Sequence, residues 1–208
     1  MDNYKYKIIN FLFKELPNIN KATVLELGVR EGRSTRNFLN YCKKNNGKLY
    51  SIDIDDYSSL FKNPRWKFIL SRDDNFKHLD RILPKSIDIL YIDSLHEADH
   101  VEKIFYYYYK KLTVNGLIFI DDISWLPYLK NQNRNNFYCE TNNKETFDRI
   151  LSIYLNNYKN FDLNFNFFSS GICKITKKKN ILNLKSKINT REFSLKNLVR
   201  KLIKKITY

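Results

Sequence analysis

The residues able to do chemistry in this sequence form an ordered series. A glycine turn, Gly28-Val29-Arg30-Glu31-Gly32, follows the short apolar run Thr23–Leu27, and Glu26 stands just before it. Acids then recur where later apolar runs end: Asp53 and Asp55 with Leu49–Ile54, Asp73 and Asp74 after Trp66–Leu70, Asp93 after Ile87–Ile92, and Asp121 and Asp122 after Leu117–Ile120. A strand, a glycine turn and a helix in succession aim free backbone N–H groups and the positive helix end at an anion. An acid about 25 residues beyond such a turn, here Asp53 with Asp55 in reserve, can accept hydrogen bonds from both hydroxyls of a ribose. Asp73 is placed to meet an adenine amino group. Each acid alone reads equally well as a solvated turn carboxylate. The series of strand ends carries the argument.

The turn lacks the middle glycine of G-x-G-x-x-G and has Arg30 there. In dinucleotide enzymes that glycine lets the backbone touch a pyrophosphate, so NAD and FAD are disfavoured. The smaller carboxylate of a methionine, as in S-adenosylmethionine (SAM), tolerates such a turn. Glu26 is then placed to hold the cofactor ammonium, directly or through water, and Ser34 to hydrogen-bond its carboxylate.

A second group lies further on. The runs ending at Asp93 and at Asp121-Asp122 are expected to be neighbouring strands. Three carboxylates brought together repel unless they are protonated or bridged by a cation. A hard divalent ion with oxygen ligands, such as Mg²⁺, answers that; the other reading has these acids serving the cofactor or capping helices. His96 follows Asp93 by three residues, and histidine titrates near neutrality, where it can take a hydroxyl proton.

These positions need elements to hold them. Apolar spacing predicts a helix over Tyr4–Leu16 closed by Pro17, then helices over Ser34–Lys43, Ala98–Leu112 and Thr141–Tyr154. The strands between them are apolar on both faces, as in a parallel sheet covered by helices. Asn115-Gly116 reads as the entry to the fifth strand. Phe161–Phe168 and Ile172–Thr176, joined through Ser169-Ser170-Gly171, read as an antiparallel hairpin. The expected fold is α/β: a doubly wound, Rossmann-like, seven-stranded, mostly parallel sheet with a C-terminal antiparallel hairpin. It occupies residues 1–176, followed by a basic tail, 177–208, with an amphipathic helix. In such sheets ligands bind beyond the carboxyl ends of the strands, where the acids converge. Ser124–Asn143 reads as a loop or lid, with Trp125 either walling a pocket or packing in the core.

Composition bounds the rest. The chain has 208 residues, enough for one full core. No apolar run reaches the roughly 18 residues that span a bilayer, and Met1–Lys7 is polar rather than leader-like. Cys42, Cys139 and Cys173 are few and scattered, as suits a reducing compartment. The chain is therefore expected to be cytoplasmic. The net charge is +15, but Lys177–Tyr208 holds eleven Lys and Arg against the single acid Glu192. The basic character thus belongs mostly to the tail, and the abundance of Asn, Lys, Ile and Tyr weakens its reading as a nucleic-acid signal. Phe193–Tyr208 has three readings: a final helix packed on the domain, a helix on an anionic membrane surface, or a contact for nucleic acid or another partner.

Two motifs compete for attention. His96-Glu97-Ala98-Asp99-His100 matches the H-E-x-x-H zinc-peptidase pattern, but it begins three residues after a buried strand and the only other histidine is His78. Tyr106–Tyr109 is a run of four tyrosines on a helix, whose consecutive positions point in all directions, so packing accounts for it.

On Val24–Ser34, Tyr50–Asp53, Ile87–His100 and Asn115–Asp122, the sequence resembles class I SAM-dependent methyltransferases. The nearer likeness is to the branch of catechol O-methyltransferase-like and macrocin O-methyltransferase-like enzymes, over roughly residues 20–176. The resemblance implies SAM held by Glu26, Gly28, Gly32, Ser34, Asp53 and Asp73. It implies Mg²⁺ at Asp93, Asp121 and Asp122, the last standing where the family commonly has Asn. It implies His96 as general base, and methyl transfer to a hydroxyl of a sugar or other small metabolite. An RNA methyltransferase, shown by salt-sensitive RNA binding to the core, and a non-catalytic SAM-binding module, shown by tight SAM binding without turnover, are the alternatives.

Overall fold

A computed structural model describes residues 7–124, 137–188 and 195–207. Trp125, most of the loop expected over Ser124–Asn143, Phe193, and the side chain of Cys139 lie outside the described residues.

The N-terminal segment differs from expectation. In place of one α-helix, a π-helical turn Ile8–Leu12 runs into a 3₁₀ turn Phe13–Glu15, and the Phe13 N–H reaches back to the Ile8 carbonyl. The apolar spacing that buries Ile8 and Leu12 does not distinguish helix pitches. Pro17 forces Leu16 into extended backbone, so the helix cannot continue.

Seven strands follow: β1 Thr23–Leu27, β2 Lys48–Asp53, β3 Trp66–Leu70, β4 Ile87–Ile92, β5 Leu112–Asp121, β6 Phe161–Asn166 and β7 Ile172–Lys177. Between and after them stand α1 Arg33–Lys44, α2 Phe76–Leu79, α3 Ala98–Lys111, α4 Phe137–Leu155 and α5 Leu195–Thr207. The sheet order is β3-β2-β1-β4-β5-β7-β6. All pairings are parallel except those of β7, which is antiparallel to both β5 and β6. The doubly wound seven-stranded sheet with its C-terminal hairpin is therefore as expected. One detail changes. Asn115-Gly116 does not precede β5 but lies within it, as an irregularity where the register to β4 steps from Ile87↔Leu112 to Ile89↔Leu117; Asn115 takes φ +66° there.

Period-two alternation sends side chains to two cores. On β1 and β4, Leu25, Leu27, Leu90 and Ile92 pack with Val101, Ile104, Phe105 and Tyr108 of α3. Val24, Ile89 and Tyr91 pack on the other face with Phe38 and Cys42 of α1 and with Ile8 and Leu12. Both faces are covered, which is why the strands read as unbroken apolar runs.

The four tyrosines of α3 diverge as their positions require. The Tyr108 hydroxyl donates to the Asp73 carbonyl, that of Tyr109 to the Asn160 or the Lys179 carbonyl, one at a time, that of Tyr106 to the Asn183 carbonyl, and that of Tyr107 to Asp80. Lys177, counted by charge with the tail, ends β7 as a buried residue whose ammonium donates to the Tyr109 and Leu112 carbonyls.

Candidate active site

The chain reverses its winding between β1 and β4, so the crevice beyond their carboxyl ends is the place for a ligand. The two strands close on each other there: the Asp93 N–H donates to the Leu27 carbonyl at 2.9 Å. Gly28 sits directly over that closure with φ +92°, and a Cβ on it would lie 2.1 Å from the Asp93 carbonyl oxygen. Any side chain at 28 would push the β1 turn off β4, which explains the glycine.

Asp53, at the end of β2, grips the turn. Its Oδ2 accepts the Val29 N–H at 2.7 Å and the Arg30 N–H at 3.3 Å, while Oδ1 accepts the Asp55 N–H at 3.1 Å. Arg30 stands in left-handed backbone at φ +49°. Gly32, at φ +70°, precedes the first turn of α1.

Glu26 is fully buried beneath this turn. Its Oε1 accepts the Ser34 hydroxyl at 2.6 Å; its Oε2 accepts those of Thr35 at 2.8 Å and Ser51 at 2.7 Å. Burial pushes its pKa up to about 7, against the pull of the three hydroxyls. The Ser34 proton is thus engaged with Glu26. Thr35 and Ser51 were not singled out in the sequence; small hydroxyl residues facing a buried acid are visible only once α1 and β2 are seated beside β1.

Asp73 is buried and accepts the Ser94 hydroxyl at 2.6 Å, with His100 Nε2 at 3.0 Å. His96 turns elsewhere: its Nε2 lies 3.5 Å from Asp93 Oδ1 and 3.6 Å from Asp122 Oδ2. The two histidines of the H-E-x-x-H pattern therefore serve different carboxylates and do not converge. Helix α3 begins only at Ala98, after His96.

The structure brings Asp93, Asp121 and Asp122 together around a cation that the sequence reading did not find. The ammonium of Lys7 is completely buried, bonds Asp121, lies 3.7 Å from Asp122 Oδ1, and donates to Ser170 Oγ at 2.7 Å. Tyr91 Oη is 3.0 Å from both Asp93 Oδ2 and Asp121 Oδ2. A hydroxyl has one proton, so it donates to only one of them at a time. Withdrawal from water, and then the facing carboxylates of Asp121 and Asp122, push Asp93 well above the usual carboxylate range. Asp121 is raised by burial against the pull of Lys7. Asp122 holds left-handed backbone, φ +55°, with its N–H on the Gly171 carbonyl at 3.1 Å.

These carboxylates suit a hard cation by chemistry, and the position demands positive charge. As arranged, they do not fit a divalent ion. Lys7 takes the place among them, and no group of three or more His, Cys, Asp or Glu among the described residues is disposed to hold a metal.

Residues 25–123 match the family model described as a methyltransferase domain. No curated protein matches the sequence. Among solved structures, the chain is similar to the MycE methyltransferase from the mycinamycin biosynthetic pathway in complex with Mg and SAH. Identity is 20%, covering 90% of this chain and 50% of that one, with a TM-score of 0.60. It is also similar to a putative caffeoyl-CoA O-methyltransferase from Staphylococcus aureus (14% identity, 85% of this chain, 92% of that one, TM-score 0.57). A putative rRNA-methylase from Clostridium thermocellum is a third (12% identity, 85% of this chain, 95% of that one, TM-score 0.58). The chain spans about half the length of the MycE chain. At these identities the likenesses show the fold.

Proposed function

We propose that the chain is a class I SAM-dependent methyltransferase, on the match of residues 25–123 to the methyltransferase domain model, and that it methylates an oxygen, the hydroxyl of a sugar or another small metabolite. One observation carries the reading. An imidazole, that of His96, faces the carboxylates of Asp93 and Asp122 at the edge of the sheet where the Gly28 turn opens.

SAM, when bound, supplies an electrophilic methyl group. Asp53 holds the Val29 and Arg30 N–H groups of the turn, so it is the first turn of α1 that directs the positive helix end at the SAM carboxylate, with Glu26 and Ser34 beneath. Asp53 is placed for the ribose hydroxyls, and Asp73 with Ser94 for the adenine side. His96 takes the proton of the acceptor hydroxyl. Nε2 faces Asp93 and Asp122, which leaves Nδ1 to receive it, and the Asp122 carboxylate stabilises the imidazolium that forms. A divalent cation would meet Asp93, Asp121 and Asp122 only by displacing the Lys7 ammonium, and no step of this reading runs through one.

His96→Ala tests the role of the base. Methyl transfer from labelled SAM to a panel of sugar and catechol hydroxyls is expected to fall about a hundredfold or more, with SAM affinity by calorimetry unchanged. Unchanged turnover at saturating SAM would remove His96 as base. Asp53→Ala is expected to weaken SAM binding about tenfold or more. Failure of the unaltered protein to bind SAM would overturn the whole reading.

A further inference from the structure

The C-terminal helix presents an exposed apolar face. On α5, Leu195, Leu198, Val199, Leu202, Ile203 and Ile206 are between 44% and 83% exposed. At 100° per residue these six occupy a sector of about 140°. In the helix sequence, Lys196, Arg200, Lys201, Lys204 and Lys205 alternate with the apolar positions, together with Asn197 and Thr207, and no acid is present. By residue spacing alone, the positions of Lys196 and Lys205 adjoin the apolar sector on either side.

The chain leading to α5 has the same character. Ile181 and Leu184 are 61% and 79% exposed, with Lys179 and Lys187 near them in the sequence, while Lys178 pairs with Asp162 and Lys185 with Glu102. This stretch is tied to the domain. The Asn183 N–H donates to Asn157 Oδ1 at 2.7 Å, the Ser186 N–H donates to the Ser152 carbonyl at 2.9 Å, and Tyr106 holds the Asn183 carbonyl. Whatever α5 binds is therefore tethered to the enzyme by an anchored segment.

We propose that α5 lies in the surface of an anionic lipid bilayer, its leucine and isoleucine face among the acyl chains and its lysines and arginine on the headgroups. The occupant must be apolar under the stripe and negative along both borders. A bilayer with anionic headgroups has that profile on both sides of an embedded helix at once, and long basic side chains reach from the borders to the headgroup plane. A nucleic acid would engage the basic arc and leave six large apolar side chains in water, so it does not account for the stripe. This inference stands on the tail alone and is independent of the acceptor and of the role of His96. No helix among the described residues is long and apolar enough to cross a membrane, so the contact is peripheral.

The test is co-sedimentation of the full chain with vesicles of phosphatidylcholine, with and without phosphatidylglycerol. Binding is expected only with the anionic lipid, and is expected to weaken as salt is raised. Leu202→Glu is expected to lower vesicle affinity about tenfold or more. Lys204→Ser removes charge but leaves the stripe; it is expected to lower affinity by less, about fivefold. Both sites are exposed, and melting curves matching the unaltered chain show that each variant is folded. Three outcomes would overturn the proposal. They are no binding to anionic vesicles at low salt, vesicle binding that Leu202→Glu leaves intact, and self-association by sedimentation velocity that Leu202→Glu abolishes. Binding of an RNA oligonucleotide that is equal in the Leu202→Glu variant, with no vesicle binding, would assign the tail to nucleic acid.

Discussion

The two sides of the β1–β4 crevice bury negative charge in opposite ways. Beneath the glycine turn, Glu26 has no cation partner among the described residues. Three hydroxyls surround it, and burial lifts its pKa to about 7. Across the crevice, Asp121 is as deeply buried but is held by the Lys7 ammonium, with Asp122 nearby. Desolvation opposes both carboxylates. Glu26 answers it by gaining proton affinity, Asp121 by drawing an ammonium from a segment 114 residues away. The first arrangement stays neutral or anionic according to pH. The second is a fixed ion pair beside two further carboxylates. The side beneath the glycine turn is thereby a pH-responsive hydrogen-bond knot, and the side facing His96 is an electrostatic cage.

The largest expected effect breaks the cage. Lys7→Met leaves Asp121 buried beside Asp93 and Asp122 with no ammonium. Removing one partner of a buried pair costs about 3 kcal/mol or more, read as a lower urea midpoint at unchanged slope. The double variant Lys7→Met with Asp121→Asn removes both charges and is expected to recover most of that loss. Electron paramagnetic resonance with Mn²⁺ sharpens the point: Lys7→Met is expected to bind the ion more tightly than the unaltered chain. Equal stability of Lys7→Met and the unaltered chain would show that Lys7 is not the cation holding this group.

Glu26 gives the next effect, in pH rather than in charge pairing. Its native pKa of about 7 exceeds its ordinary value of 4.5, so the folded state binds the proton more tightly than the unfolded chain. The resulting stabilisation is fully present below pH 4.5 and is lost as pH rises through about 7. Across that window it amounts to about 3 kcal/mol. Glu26→Gln stays neutral throughout. The stability difference between the two proteins, measured by urea unfolding at several pH values, is therefore expected to move in favour of Glu26→Gln as pH rises from 4.5 to 7. A pH-independent difference would mean that Glu26 binds its proton equally well in the folded and unfolded states, and the contrast with Asp121 would collapse.

This contrast shows what the sequence made legible. The acids at strand ends were visible because strands covered on both faces read as apolar runs, and a charge at the end of such a run stands out. Asp53, Asp73, Asp93, Asp121 and Asp122 all sit at that edge of the sheet for this reason. Their partners were not visible. Lys7 lies in a segment whose apolar spacing suits an α-helix, a π turn or a 3₁₀ turn equally, so neither the pitch nor the inward lysine could be read. Tyr91 passed as one more apolar residue of β4, since its hydroxyl matters only once β5 brings Asp121 alongside. Ser51 and Thr35 reach Glu26 through the parallel register and through the seating of α1, both long-range facts. Periodicity reports which face is buried; it does not report which polar groups meet there.

The smallest effect concerns the hydroxyl that joins the cage to its rim. Tyr91 Oη touches Asp93 and Asp121 at 3.0 Å each, within a core layer that also includes Phe38 and Phe119. Tyr91→Phe keeps the ring, and with it the packing. It removes one donor from a pair of carboxylates already crowded against each other, so stability is expected to fall by about 1 kcal/mol. The same change leaves Glu26, Ser34 and Asp53 untouched, and SAM affinity by calorimetry is expected to stay within about twofold of the original, since a single lost hydrogen bond outside the cofactor side has no direct contact to remove. Methyl transfer is expected to slow more than SAM binding changes, because Asp93 faces His96 and loses the hydroxyl that helps fix its orientation. If Tyr91→Phe instead weakened SAM binding and left turnover at saturating SAM alone, the two sides of the crevice would not be the separate cofactor and acceptor walls proposed above.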